Sequence, residues 1–360
     1  MGRNEIHMSP GRWRALCERF FTAWGAPEDI AACVAKSLVE SNLAGVDSHG
    51  VVRIGNYYNF VKPGWWIPSR RPTVSREGPS TAVVDGNWGF GQPAMHKGLD
   101  LGIAKARAHG IAGIGVIQAG HIGRLGEYAE RAAASGMIAL MGTSNARHGG
   151  HVVPFGGSER VFSTNPMAAA VPAREHAPFI MDFATTVVAA GKLELTGDPE
   201  APIPAGWAVD KDGRPAEKGR DYLDGGAMLP FAGHKGYALM LLVELLAGAL
   251  TGAGVTQRPQ VVPTGGVGFG GNSTFIIIVD VSHFTDKEAF LTDVDALFQR
   301  LDGVRPAPGY KQVMVPGEPE AAQRARKTKE GFSVTAAIWE QIARVAGESN
   351  VSLSDFKAEE

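Results

Sequence analysis

Three stretches of this chain set side chains where acid–base or anion-binding chemistry needs them. In "DSHGVVRIGNYY", His49, Arg53 and Tyr57 fall at i, i+4 and i+8, so on a helix an imidazole, a guanidinium and a phenol would share one face. A guanidinium presents a planar fork that matches the two oxygens of a carboxylate, and such a stripe could hold a small carboxylic acid. The same spacing also suits a solvated helix face whose opposite side, with Val51, Ile54 and Tyr58, meets the core. In "GIGVIQAGHIGRLGEYAERA", His121 stands on a glycine-bracketed turn between a strand expected to end near Gln118 and a helix expected to begin near Leu125. Open α/β sheets keep their ligands at that strand edge. An imidazole titrating near neutrality could there take a proton from a hydroxyl and return it, although a locally bonded loop histidine fits the same residues. In "FAGHKGYALM", His234 and Lys235 precede a long apolar run. A lysine at a helix N-terminus opposes the helix dipole, which hints at a phosphate or carboxylate partner unless the side chain extends into solvent.

Two further stretches offer backbone and small polar groups. "FSTNPMA" (Phe162 to Ala168) and "MDFATT" (Met181 to Thr186) gather hydroxyls, an amide and a carboxylate at expected strand ends, groups able to bond ribose hydroxyls or a carboxamide. Ordinary turn chemistry accounts for the first equally well. "GVGFGG" (Gly266 to Gly271) has G-x-G-x-x-G spacing, yet that fingerprint works only where a helix follows and its N-terminus meets the pyrophosphate. Here "NSTFIIIVDV" follows and reads as a buried strand, so the glycines are expected to form a turn or bulge. His148 and His151 form H-x-x-H, but "RHGGHVVPFGG" brings no cysteine or carboxylate close by, and no metal site is expected. No G-x-S-x-G elbow is present to support a serine hydrolase.

The elements that must position these groups change character along the chain. "GRWRALCERFFTAWG" and "PEDIAACVAKSLVESNLAG" read as helices, the second with Ile30, Val34 and Leu38 on one face and Gly45 placed to end it. A third helix is expected to start at "DSHG", with Asp47 or Ser48 as its cap. "VKPGWWIPSRRP" breaks the pattern near residue 70. Strands in "STAVVDG", "IAGIGVIQ" and "MIALMGTSN" then alternate with helices in "PAMHKGLDLGIAKARAHG" and "LGEYAERAAASG", the signature of an α/β layered domain. More strands are expected in "MAAAVPA", "FIMDFA" and "STFIIIVDV", with a buried Leu-rich helix after "GHKG". Helices return from about Phe284, including "SVTAAIWEQIARVAG", whose Ile338, Ile342 and Val345 lie along one face. The expected division is a helical unit from residues 1–72 with 285–360 and an α/β unit from 73–284.

A chain of 360 residues is ample for about two domains. With 35 basic and 37 acidic residues it shows no broad electrostatic footprint for nucleic acid or an acidic membrane. Two cysteines, Cys17 and Cys33, are too few for a disulfide scaffold, and the first twenty residues lack an apolar secretory core, so the cytoplasm is the expected compartment. The longest apolar run, Tyr237 to Gly252, is interrupted by Glu244 and is too short for a membrane span.

Taken in order, "DSHGVVRI..Y", the glycine-flanked His121, "STNPMA", "DFATT", "GHKGYALMLLVELLAGALTG" and the late "VPGE" resemble the type 2 malate/L-lactate dehydrogenase family, which also holds ureidoglycolate, sulfolactate and cyclic imino-acid oxidoreductases. The resemblance runs from about Arg12 to Gly347, and "AGHIGRLGEYAE" is most similar to a hydroxycarboxylate dehydrogenase branch. Ile122 and Arg124 depart from a commoner His-Phe-Gly pattern, which leaves the substrate open. The resemblance implies an NAD- or NADP-dependent oxidoreductase acting on a 2-hydroxy acid or, alternatively, a cyclic imino acid. It further implies a non-Rossmann mixed sheet that holds the nicotinamide dinucleotide and a homodimer. By position, it makes His121 the acid/base group, sets His49, Arg53 and Tyr57 near a small carboxylic-acid substrate, and places Ser144, Asp182, Phe183, Ala184, Lys235, Pro316, Gly317 and Glu318 against the cofactor.

Overall fold

Apolar residues recur every three to four positions at the start of the chain and in shorter strand-like runs in its middle, so a helical layer and a sheet are expected to bury separate cores. The computed structural model describes residues 5–356 apart from 146–149, 195–197, 256–259, 263, 265–266 and 269–270. Strand β1 (Glu5–Met8) leads into α1 (Pro10–Ala23) and α2 (Glu28–Leu43). Pro10 opens α1, where its missing amide costs no helical bond. Gly45, just past α2, takes φ +83°, a conformation that a side chain would resist.

A single 3₁₀ turn (Asp47–His49) and then α3 (Arg53–Val61) follow, so the expected continuous helix through His49, Arg53 and Tyr57 does not form. Gly50 is extended between them because Asn42 fills the space a side chain would need, its Oδ1 accepting the Val51 amide at 2.8 Å. Neither Asp47 nor Ser48 caps α3. Asp47 accepts from Asn42 Nδ2 at 2.7 Å, and Ser48 Oγ meets His49 Nδ1 at 3.0 Å. Val51, Ile54 and Tyr58 are buried, and so is Tyr57.

The middle of the chain runs β2 (Thr73–Glu77), β3 (Thr81–Asp85), α4 (Gly91–His109), β4 (Ile111–Ala119), α5 (Leu125–Ala134), β5 (Met137–Asn145), β6 (Met167–Val171) and β7 (Phe179–Phe183). Short elements α6 (Ala190–Glu194), β8 (Ala208–Val209), α7 (Gly219–Leu223) and β9 (Ala227–Met228) precede α8 (His234–Glu244), which continues as a π-helical stretch, Leu245–Leu250. The hairpin β10 (Gln260–Val261) and β11 (Val267–Gly268) then leads to β12 (Asn272–Asp280). Gly266, Phe269 and Gly270 lie outside the described residues, and the segment after Gly271 is a strand, not a helix.

One seven-stranded sheet has the order β2-β3-β4-β12-β5-β6-β7, and of its six neighbouring pairs only β3–β4 is parallel. It is therefore a mixed sheet, with the β-branched β12 at its centre. Strand alternation sends Ile276 and Ile278 to the side covered by α4 and α5, and Phe275 to the side where Val243 and Ala247 of the α8 region pack. The Leu-rich helix is less buried than expected. Leu242, Leu245 and Leu250 are 44, 49 and 73% exposed, because only one side of the segment faces the sheet. Among the described residues, no helix is long and apolar enough to cross a membrane.

Beyond the sheet lie α9 (Lys287–Asp302), α10 (Glu318–Glu330), β13 (Phe332–Thr335) and α11 (Ala336–Glu348). Strand β13 pairs antiparallel with β1, so the helix expected from Ser333 begins only at Ala336, where Thr335 accepts the Ile338 amide. Phe332, Val334, Ile342 and Val345 share one core with Trp13, Phe20 and Ile54, which unites the two ends of the chain. Helix α9 bonds to the loop after β6 through Arg174–Glu288 and His176–Asp295.

Candidate active site

His121 sits where β4 ends and α5 has not begun, on a turn that only glycines permit. A Cβ on Gly120 would press on the Trp66 ring and the Gly89 carbonyl, and Gly123 has φ +76°. The turn delivers the imidazole to α3. Tyr57 Oη lies 2.9 Å from His121 Nδ1, and Gln92 Nε2 donates to Tyr57 Oη at 2.8 Å. Gly123 N–H donates to the same His121 Nδ1 at 3.2 Å.

His49, although cut off from α3 by Gly50, stacks on His121 with ring centroids 5.4 Å apart and planes inclined by 29°. Arg53 is drawn beside it, since its Nε donates to the Ser48 carbonyl at 2.6 Å. Burial, with the positive charges of Arg53 and Arg124 adding to it, pushes the His49 pKa down to about 3, so this ring is neutral at ordinary pH. Burial likewise pushes the Tyr57 phenol up and keeps its proton on. The expected group of His49, Arg53, Tyr57 and His121 is thus brought together, by tertiary contact and not by one helix face.

A second group lies at the start of α5. Asp182, on β7, accepts the Gly126 amide at 2.7 Å, a favourable place for a carboxylate in the first turn of a helix. Desolvation nevertheless raises its pKa to about 6 against the pull of Gly126 and Arg124. Arg124, 2% exposed, pairs with Glu130 at 2.8 Å, and Glu130 in turn pairs with Arg324 of α10 at 2.7 Å. Its charge reaches both His49 and Asp182 and so couples the two groups. Pro316 is bound to the same strand, its carbonyl accepting the Ile180 amide at 2.8 Å. Gly317, at φ +105°, opens α10, and Glu318 accepts the Val315 amide at 2.9 Å.

Ser144 does not face an open surface. It is 2% exposed and donates to Glu244 Oε2 at 2.6 Å, where Asn165 Nδ2 also donates at 3.0 Å. Thr185 Oγ1 donates to the carbonyls of Thr164 and Asn165, each at 3.0 Å, so "STNPMA" and "DFATT" meet as one polar seam. Phe183 and Lys235 are exposed and Ala184 is half-buried. Lys235 stands in the first turn of α8. Among the described residues, buried Asn145 Oδ1, Asn165 Oδ1, Asn272 Oδ1 and Ser273 Oγ find no hydrogen-bond partner, and Asn145 faces Asn272 in the sheet register. Unmet amide and hydroxyl groups beside Ser144 fit a ligand rich in hydroxyls and amides, as a nicotinamide dinucleotide is.

Among the described residues, no group of three or more His, Cys, Asp or Glu side chains could hold a metal ion. His148 lies outside them, and the His151 ring meets Tyr222 Oη at 3.4 Å. Gln92, Arg124 and Glu244 are among the residues of these networks that were not singled out as site residues from sequence. Gln92 carries no periodic or motif signal. Arg124 was visible only as a departure from a pattern, and Glu244 as a lone carboxylate in an apolar run.

The family model described as malate/L-lactate dehydrogenase matches residues 8–343. The chain is 33% identical over 350 residues to the malate dehydrogenase of Pyrococcus horikoshii, covering 95% of each chain. It is 34% identical to the L-lactate dehydrogenase of Cupriavidus necator, covering 94% of this chain and 97% of that one. The solved structure of the sulfolactate dehydrogenase from Methanocaldococcus jannaschii superposes with a TM-score of 0.88 at 31% identity, covering 98% of this chain and 99% of the other. The chain belongs to the malate/L-lactate dehydrogenase family.

Proposed function

We propose that this protein is an NAD(P)-dependent oxidoreductase that interconverts a 2-hydroxy acid and the corresponding 2-oxo acid. The observation that carries this reading is the gathering of His121, Tyr57 and His49 around one point with Arg53 anchored beside them. Arg53 binds the carboxylate through its planar fork. His121 holds or moves the proton at the substrate oxygen, and Tyr57 and His49 orient its ring. A neutral, desolvated His49 keeps water and competing charge from that oxygen. Asp182, Phe183, Ala184, Lys235 and the Pro316-Gly317-Glu318 turn would hold the dinucleotide, with Ser144 bonded to Glu244 as buried support. When bound, the nicotinamide ring accepts or supplies the hydride. Following nicotinamide absorbance with a panel of 2-oxo acids, with NADH and NADPH in parallel, tests the reading and identifies the cofactor. No change with any acid would refute it, and turnover of cyclic imino acids alone would move the protein to the imine-reducing branch.

We also propose a homodimer, with 1–72 and 285–360 forming one unit and 73–284 the other. The half-exposed leucines of α8 and its π-helical continuation support a buried contact between copies. Light scattering on the purified protein tests it, a monomer mass at micromolar concentration being the refuting result. Cys17 and Cys33 are both free thiols, which supports the cytoplasm as the compartment.

A further inference from the structure

The hydrogen bonds around His121 determine more than its position. A main-chain N–H can only donate, and Gly123 N–H points at His121 Nδ1 from 3.2 Å. A hydrogen on Nδ1 would face that hydrogen, which favours Nδ1 offering its lone pair. Tyr57 Oη, 2.9 Å from the same nitrogen, could in principle donate or accept. Gln92 narrows the choice. Its Nε2 donates to Tyr57 Oη at 2.8 Å and fills one lone pair there, and the phenolic hydrogen then finds Nδ1, at 2.9 Å, a nearer acceptor than the His121 carbonyl at 3.5 Å. Burial of Tyr57 keeps that hydrogen in place. Rotating the Gln92 amide by half a turn would let Tyr57 donate to Gln92 Oε1 and accept from a protonated Nδ1. Oε1 is buried and finds no hydrogen-bond partner among the described residues as the amide stands, so an acceptor for that second arrangement is at hand. The Gly123 amide opposes it.

We infer that neutral His121 carries its proton on Nε2, and that Gln92, acting through Tyr57, is the positioning residue that selects this tautomer. The inference deepens the proposed function, on which its catalytic meaning rests. In the selected tautomer the imidazole offers a hydrogen bond from Nε2 to the oxo oxygen of a 2-oxo acid, whereas protonating the alkoxide takes the imidazolium and leaves the Nδ1–H form behind. To take a hydroxyl proton at Nε2, the ring must first adopt the Nδ1–H form, with Tyr57 turned toward Gln92 Oε1. The Nδ1–H form is thus the neutral partner in proton transfer in both directions, and the Gln92–Tyr57 pair must turn for the ring to pass between it and the resting tautomer.

Nitrogen NMR of the full-length protein labelled with ¹⁵N-histidine, at neutral pH and without ligand, tests this, with His121 assigned by the signals lost in His121→Gln. The expected result is an acceptor-type (pyridine-like) Nδ1 and a protonated (pyrrole-like) Nε2. A protonated Nδ1 in the unaltered protein would overturn the inference. Gln92→Glu replaces the donor by a carboxylate that must accept from Tyr57, and it should move the proton toward Nδ1. An unchanged His121 pattern in that variant would remove Gln92 from the role. Should Gln92→Glu fail to fold, Tyr57→Phe decides: with Gly123 N–H alone the Nε2–H form should persist, at lower population, whereas a fully retained pattern would show that the Gln92–Tyr57 pair selects nothing. Because the signal is read without substrate, a negative acid panel refutes the proposed reaction and leaves the tautomer decidable, and a wrong tautomer leaves the reaction standing.

Discussion

The Ser144 hydroxyl donates to Glu244 Oε2 at 2.6 Å, joining the end of β5 to α8 across 100 positions of chain. Asn165 donates to the same oxygen, so one buried carboxylate ties together three segments expected to surround a dinucleotide. Removing it while keeping the volume, as in Glu244→Leu, strands buried donors at a cost of about 1–3 kcal/mol each. The denaturation midpoint should fall accordingly, and Glu244→Gln should recover part of the loss. Equal midpoints for Glu244→Leu and the unaltered protein would contradict the role.

His121→Ala should lower turnover by roughly 100-fold or more, the usual contribution of a positioned acid/base group. Cofactor affinity, read from nicotinamide fluorescence, should change little, since the segments assigned to the dinucleotide lie on other strands. Near-normal turnover would take His121 out of the proton-transfer role.

Arg53→Lys keeps the charge and loses the fork. KM for the acid should rise by roughly 10-fold or more, the equivalent of one charge-assisted hydrogen bond. An unchanged KM for every acid that the enzyme turns over would count against the carboxylate clamp.

His49 and Asp182 should give stability opposite dependences on pH. The folded His49 pKa, about 3, lies below its ordinary 6.5, so the unfolded chain binds the extra proton between those values. Its contribution is present above pH 6.5 and is lost as pH falls toward 3. Asp182 titrates at about 6 when folded against 3.8 ordinarily, so its contribution is present below pH 3.8 and is lost as pH rises through 6. Unfolding measured from pH 4 to 7 should show that His49→Gln flattens the gain in stability with rising pH. Asp182→Asn should steepen that gain. Slopes unaffected by either substitution would show that neither group is perturbed as described.

Much of this was legible in the residues. The strands at 81–85, 111–119, 137–145 and 272–280, with the helices between them, follow from apolar periodicity and β-branched runs, since local period decides which face can be buried. Strands β1, β2 and β13 were not legible. They are short, and β1 and β13 exist because each finds the other more than 300 positions away. The helix drawn through His49 failed for a comparable reason: Asn42 claims the backbone at Gly50 and Val51, an interaction that spacing cannot report.

The sequence alone determined which side chains this protein has for acid–base and carboxylate chemistry, and that His121 would stand at a strand end on a glycine turn, because turn geometry and strand propensity are local properties. Only the folded chain decided that His49 would meet His121 by stacking, that Ser144 would be spent on Glu244, and that Arg124 would influence both His49 and Asp182. Those are contacts between segments far apart along the chain. Their geometry depends on how the sheet and helices pack in three dimensions, which no short window of residues encodes.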